Sequence, residues 1–260
     1  MTTKKRPCII AFSTQKGGVG KSTFTVLTAS ILHYRLGYNV AIFDCDFPQY
    51  SLIQMRERDL KTVMKNEALK KMAHQQFTTI NKKAYPIFQS KADTVLEEIE
   101  QYLDELETAP DFIFLDLPGT VNTAGILKTL ASVHHIFSPI TADRLVLEST
   151  LSFTDVLTNV LMKEKYTEIK SIQLFWNQVD GREKTVLYNN YSQVIKELGL
   201  RLMETTITDS KRFRKEGEAK AKTVFRSTLL PADSKLMSLC RFDHFMDELL
   251  QIIKVSGYGK

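Results

Sequence analysis

The sequence predicts a single α/β domain: a mostly parallel sheet with helices on both faces. Three observations carry that expectation. Short apolar runs recur at Cys8–Ser13, Val40–Asp44, Phe112–Asp116, His135–Pro139 and Ile172–Asn177, with the continuous hydrophobicity of strands buried on both sides. Helical patterns alternate with them, over Phe24–Leu36, Leu145–Leu161, Val186–Leu198 and Leu236–Ile253. No internal repeat, low-complexity tract or linker breaks the chain, so residues 1–260 read as one domain.

Composition narrows the class. Of 260 residues, 43% are hydrophobic and 25% charged, which suffices for a sizeable core. No apolar run of membrane-spanning length stands out, and no membrane partner is expected. The start, MTTKKRP, is charged and lacks an apolar stretch, so no secretory signal is expected. Cys8, Cys45 and Cys240 lie far apart; scattered thiols fit a reducing cytoplasm and offer no metal-ligand set. A net charge of +5 allows nucleic-acid binding without showing it.

In chain order, the first strand runs into Ser13–Thr23, STQKGGVGKST, and the first helix follows at once. Gly37 stands just past that helix, where a terminating glycine belongs. After the second strand, residues 55–108 exceed a single crossover and read as a helical insert of two or more helices, VLEEIEQYLDEL the clearest. Ordinary surface covering is their plainer role.

A glycine turn between strand and helix is suited to phosphate. Its backbone N–H groups point inward, and the helix N-terminus adds a positive end. The general phosphate-loop pattern is G-x-x-x-x-G-K-[ST]. Gly20, Lys21 and Ser22 supply its second half, while Gln15 stands at the first glycine position. Lys21 would reach the β- and γ-phosphates, and Ser22 would ligate Mg²⁺. A flexible turn that binds nothing is the bland alternative.

The run Lys16–Thr23, KGGVGKST, resembles the deviant phosphate loop of the ParA/MinD superfamily of ATPases, K-G-G-x-x-G-K-[ST], at every position. The resemblance implies a phosphate-loop nucleotide hydrolase fold that binds ATP through Lys16, Gly17, Gly18, Val19, Gly20, Lys21, Ser22 and Thr23. It also implies that Lys16 crosses a dimer interface to the partner's phosphates, much as an arginine finger does.

VAIFDCDFPQ ends a strand with Asp44 and Asp46, two apart and so facing one side, at the end of the sheet where α/β ligands bind. It is similar to the family's D-x-D-P-Q switch, which implies that Asp46 positions the attacking water and Asp44 supports the metal. Here Phe47 is inserted before Pro48 and Gln49. Capping of a helix or turn is the alternative for both aspartates. DFIFLDLPG resembles the Walker B strand and its switch, which implies that Asp116 completes the Mg²⁺ environment beside Ser22. The family also implies that Asn177 contacts adenine; a plain strand-ending turn is its other reading. Thr208 occupies the place of a proline that often frames the purine in the family.

SKRFRKEGEAKAK concentrates Lys211, Arg212, Arg214 and Lys215, with Arg226 beyond. Such a cluster can neutralise DNA phosphates, as ParA-like proteins do in this region, or can form a solvated face. Lys61–Lys83 is a weaker basic candidate. His134, His135 and Trp176 read as structural, and the amphipathic C-terminal helix as packed on the sheet.

The resemblance spans the chain to about Arg226. It implies a Mg²⁺-dependent, cytoplasmic or nucleoid-associated ATPase, with catalytic Lys16, Lys21 and Asp46, that forms an ATP-bound sandwich homodimer. Its work would be DNA partition or conjugative DNA transfer, with non-specific DNA and a ParB-like or conjugation partner. A membrane-associated MinD-like regulator and a non-hydrolysing scaffold remain as alternatives. A metabolic relative such as a nitrogenase iron protein would need cluster cysteines that this chain does not offer.

Overall fold

A computed structural model describes residues 6–119, 124–159, 161–163, 167–180, 182, 185–210 and 224–255. Among the described residues, six parallel strands form one sheet: β1 (Cys8–Phe12), β2 (Val40–Asp44), β3 (Ile87–Gln89), β4 (Phe112–Asp116), β5 (His135–Ile140) and β6 (Ser171–Trp176), in the order β3-β2-β4-β1-β5-β6. All carboxyl ends of a parallel sheet share one edge, so the loops after β1, β2, β4 and β6 converge there. The expected α/β architecture, parallel with helices on both faces, is the one observed.

Strand alternation divides the core. Ile10 and Phe12 face a layer with Phe24, Phe114, Phe137, Phe175 and Phe245, under α1 (Lys21–Tyr34) and the C-terminal helices α8 (Ser234–Leu239) and α9 (Phe242–Val255). Ala11, Ala41 and Ile113 face the other way, toward α4 (Val95–Glu105), α5 (Ala124–Ala131) and α6 (Arg144–Asn159). The rings of Phe12, Phe24, Phe175 and Phe245 lie with centroids 4.8–6.4 Å apart. This cluster fixes the start of α1 against the sheet beneath the glycine loop.

Residues 55–108 hold most of α2 (Ser51–Lys65), then α3 (Glu67–Ile80) and α4, and also β3, so the stretch contributes a strand to the sheet besides its helices. The C-terminal helical pattern is two helices, broken at Arg241, whose φ is 59°. Stretch 144–163 reaches the length and hydropathy of a membrane span. On the observed α6, however, Leu147, Phe153 and Leu157 are buried in the core. Beyond β6 comes α7 (Thr185–Glu197), and then residues 201–209 run beside β6. Met203 N–H donates to the Leu174 carbonyl, and Ile207 N–H to that of Trp176, both at 2.8 Å. This ragged edge carries Ile207 and Thr208 to the ligand end of the sheet.

Candidate functional site

The glycine loop occupies the bend between β1 and α1. Gly18 and Gly20 have φ of 78° and 95°, values that glycine adopts without strain. A Cβ on Gly20 would also lie 3.4 Å from the Phe24 ring and 3.5 Å from the Asn177 amide nitrogen. From β6, Asn177 Nδ2 donates to the Val19 carbonyl at 2.9 Å, tying the last strand to the loop. Thr14 Oγ1 pairs with Thr150 Oγ1 at 3.0 Å, and Ser149 Oγ donates to Gln15 Oε1 at 3.2 Å. The loop is therefore held from α6 as well.

Lys21 Nζ donates to the Lys16 carbonyl at 3.3 Å, folding the lysine back over its own loop. Burial lowers its pKa, and the charges of Asp116 and Asp46 oppose that shift. Gly119 closes over the same point, where a Cβ would lie 3.2 Å from Lys21 Nζ and 3.5 Å from the Gly17 nitrogen. Lys16 is exposed.

Asp44 and Asp116 pair in register at the ends of β2 and β4, and both are fully buried. Asp116 ends in the site: burial pushes its carboxyl up to about 7, the Ser22 hydroxyl and Lys21 pulling down, Asp44 and Asp46 pushing further up. Neither of its oxygens has a donor in hydrogen-bonding geometry. Asp44 faces elsewhere. One oxygen accepts from Leu52 N–H at 2.8 Å and Ile53 N–H at 3.1 Å, and the other from Asp46 N–H at 3.3 Å. Burial raises its pKa, and those backbone donors oppose the rise. Its carboxylate caps the first turn of α2, the other role the sequence offered for it.

Phe47, the inserted residue, is absorbed by a turn. Tyr50 N–H donates to the Asp46 carbonyl at 2.8 Å, and the Phe47 ring points outward, 58% exposed. Asp46 stays on the cleft, with Gly17, Lys21, Ser22, Gln49 and Gly119 around it.

The cleft has two ends. The phosphate-loop end, about 350 Å³, holds those residues. It adjoins a space of about 510 Å³ walled by Phe24, Arg58, Asn177, Ile207, Thr208 and Phe242. Gly18, Gly20, Thr23 and Arg226 belong to both. Arg226, grouped by sequence with the DNA-binding candidates, has its Nη1 donating to Thr23 Oγ1 at 2.8 Å, inside the cleft. Lys211, Arg212, Arg214 and Lys215 lie outside the described residues.

A hard divalent cation fits this chemistry. Hydroxyl and carboxylate oxygens meet at Ser22 and Asp116, the carboxylate unsatisfied. Among the described residues, no group of three or more His, Cys, Asp or Glu could hold a metal by itself. Mg²⁺ commonly binds through one or two carboxylates plus substrate phosphates, so a cage is not required.

A family model described as ATPase MipZ matches residues 8–171. No curated protein matches the chain in sequence. Among solved structures, pNOB8 ParA bound to nonspecific DNA is 18% identical, with a TM-score of 0.61 over 96% of this chain and 99% of its own. A putative plasmid partition protein from Borrelia burgdorferi B31 bound to AMPPNP is 16% identical, with a TM-score of 0.58 over 97% and 100%. The MinC:MinD cell division complex of Aquifex aeolicus gives 12% and 0.57 over 97% of each chain. These likenesses show the fold, and the match over residues 8–171 shows the family. The chain belongs to the ATPase MipZ family, within the ParA/MinD superfamily of deviant phosphate-loop ATPases.

Proposed function

We propose that the chain binds ATP with Mg²⁺ in this cleft and hydrolyses it as a sandwich homodimer. The work served would be DNA partition, or DNA transfer by a mobile element. Asp116 carries the reading, as a buried carboxylate with both oxygens unbonded, beside Ser22 and Lys21 of a glycine loop. The Borrelia partition protein bound to AMPPNP shares the fold, which agrees with it.

In this reading the N–H groups of Gly17, Gly18, Val19, Gly20 and Thr23 hold phosphate oxygens at the start of α1. Ser22 and Asp116 would hold Mg²⁺, whose charge would offset that of the phosphates. Asn177 has its amide N–H committed to Val19, and its side-chain oxygen accepts from the amino group of the base. Asp46 orients a water whose oxygen bonds to the γ-phosphorus as the bond to the ADP oxygen breaks. Lys21 stabilises the transferring group from the same chain. Lys16, exposed and not lining its own cleft, does so from the partner.

Non-specific DNA would be held by Lys211, Arg212, Arg214 and Lys215, in line with the pNOB8 ParA complex. A ParB-like protein or a conjugation component would stimulate turnover, in the cytoplasm at the nucleoid. The membrane-associated alternative is weaker, because Phe242, Phe245, Met246 and Leu249 of α9 are spent on the core.

Turnover and sedimentation of the purified chain test the proposal, with ATP, Mg²⁺ and DNA varied independently. ATP should drive dimerisation, and Lys16→Ala should abolish dimerisation and hydrolysis while the monomer still binds ATP. Normal turnover by Lys16→Ala removes the in-trans role. A wild-type cleft that binds no ATP removes the reading.

A further inference from the structure

Arg226 and Thr23 are 203 residues apart in sequence and joined by a 2.8 Å hydrogen bond. Thr23 is on the first turn of α1, one residue past Ser22, where the helix presents unpaired N–H groups and its positive end. Both residues line the phosphate end and the larger end of the cleft. They mark the junction. A nucleotide laid between those ends must put its sugar and its first phosphate there.

The backbone that carries Arg226 is mounted with unusual density. Ser227 and Thr228, next in the chain, are buried. Ser30 Oγ donates to the Ser227 carbonyl, and Tyr34 Oη to that of Thr228, both at 2.8 Å. Thr228 N–H and Oγ1–H both donate to one oxygen of Asp59, at 2.7 and 2.9 Å. The other Asp59 oxygen pairs with the Arg58 guanidinium at 3.1 Å. Arg56 Nε donates to Thr228 Oγ1 at 2.8 Å. Side chains of α1 and α2 thus clamp the residues just after Arg226, and Asp59 is itself 6% exposed. A solvated surface arginine needs no such mount; a guanidinium that must meet a ligand at a set point does.

We propose that Arg226 is a nucleotide-binding residue whose guanidinium bonds the α-phosphate at the junction of the cleft. Thr23 holds its fork in readiness, and Asp59 positions the segment behind it. The inference rests on the reading of the cleft as a nucleoside triphosphate site. Arginine suits the task, because its planar donors meet two phosphate oxygens at once and its charge is permanent. The α-phosphate is common to ATP and ADP, so Arg226 sets affinity for both alike.

Titration with fluorescently labelled ATP and ADP tests this on the full chain. Arg226→Gln keeps most of the side chain's length and a donor for Thr23 but loses the charge. It should weaken both nucleotides by a similar factor, roughly tenfold to a hundredfold, with the unliganded protein melting as wild type does. Arg226→Lys should recover part of that loss, and it serves as the probe if the glutamine variant does not fold. Undiminished affinity in the variant that is read overturns the proposal. So does a loss confined to ATP, which moves the contact to the γ-phosphate. If the wild type binds neither label, the nucleotide reading itself falls, and the role of Arg226 with it.

Discussion

Asp44 and Asp116 close adjacent strands in perfect register, both without solvent exposure, and their surroundings are opposite. Asp44 accepts three backbone N–H bonds and ties the start of α2 to the tip of β2. Asp116 accepts none. A buried, bonded carboxylate stabilises a fold, whereas a buried, unbonded one costs it stability. Neighbouring acids of the same motif set therefore do different work. Asp44 shapes the loop that displays Asp46, and Asp116 leaves both carboxylate oxygens unbonded beside the glycine loop.

Removing the charge at each position separates those roles. Asp116→Asn should cut ATP turnover roughly a hundredfold to a thousandfold, the scale of losing one preorganised electrostatic group. Its unliganded stability should hold or rise, because the cost of burying that charge, only partly offset by Lys21 and Ser22, is gone. A clear drop in its denaturation midpoint would mean that Asp116 is satisfied in the fold, and the contrast with Asp44 would break.

Asp44→Ala should show the reverse. Three backbone donors, one buried and two half-buried, lose their acceptor and α2 loses its cap, so the fold should lose about 2–4 kcal/mol in chemical denaturation. Nucleotide affinity measured below the melting point should stay near wild type. Full stability with loss of Mg²⁺-dependent turnover alone would assign Asp44 to the metal instead.

The same contrast explains what the sequence could reveal. Lys16–Thr23 is one contiguous run, so strand, glycines, lysine and helix could be read in order. Asp116 was legible because an apolar strand points to it. The backbone bonds of Asp44 were not legible, because spacing shows which side a carboxylate faces, not which N–H groups a later helix brings to it. The larger end of the cleft is assembled from Phe24, Arg58, Asn177, residues 207–210, Arg226 and Phe242, and no local pattern joins them. Arg226 was grouped with its charged neighbours by proximity in sequence; Ser227, bonded to Ser30, and Thr228, bonded to Asp59, pull it inward. β3, three residues long, and α5, eight, are too short for periodicity to announce. The ragged edge at 201–209 has its register from β6, not from its own residues.

His134 extends the comparison to a buried group whose satisfaction depends on its charge, with the smallest effect expected. Ile9 N–H donates to His134 Nδ1 at 2.8 Å, and His134 N–H donates to the Ile9 carbonyl at 2.9 Å. The ring stands in for a strand partner and must keep a lone pair on Nδ1. Burial first, then the charges of Lys170 and Arg6, lower its pKa to about 4 from an ordinary 6.5. With the folded value below the unfolded one, the unfolded chain takes up the proton first as pH falls. Stability is therefore full above about pH 6.5 and drains between 6.5 and 4, with a slope of at most ~1.4 kcal/mol per pH unit for one proton. His135, also lowered to about 4, loses stability in the same window. Denaturant midpoints across that range should fall toward acid, and His134→Asn, which keeps an acceptor without a titrating ring, should remove part of the slope. An unchanged slope in that variant would assign the acid sensitivity to other groups and leave the Ile9 bond indifferent to pH.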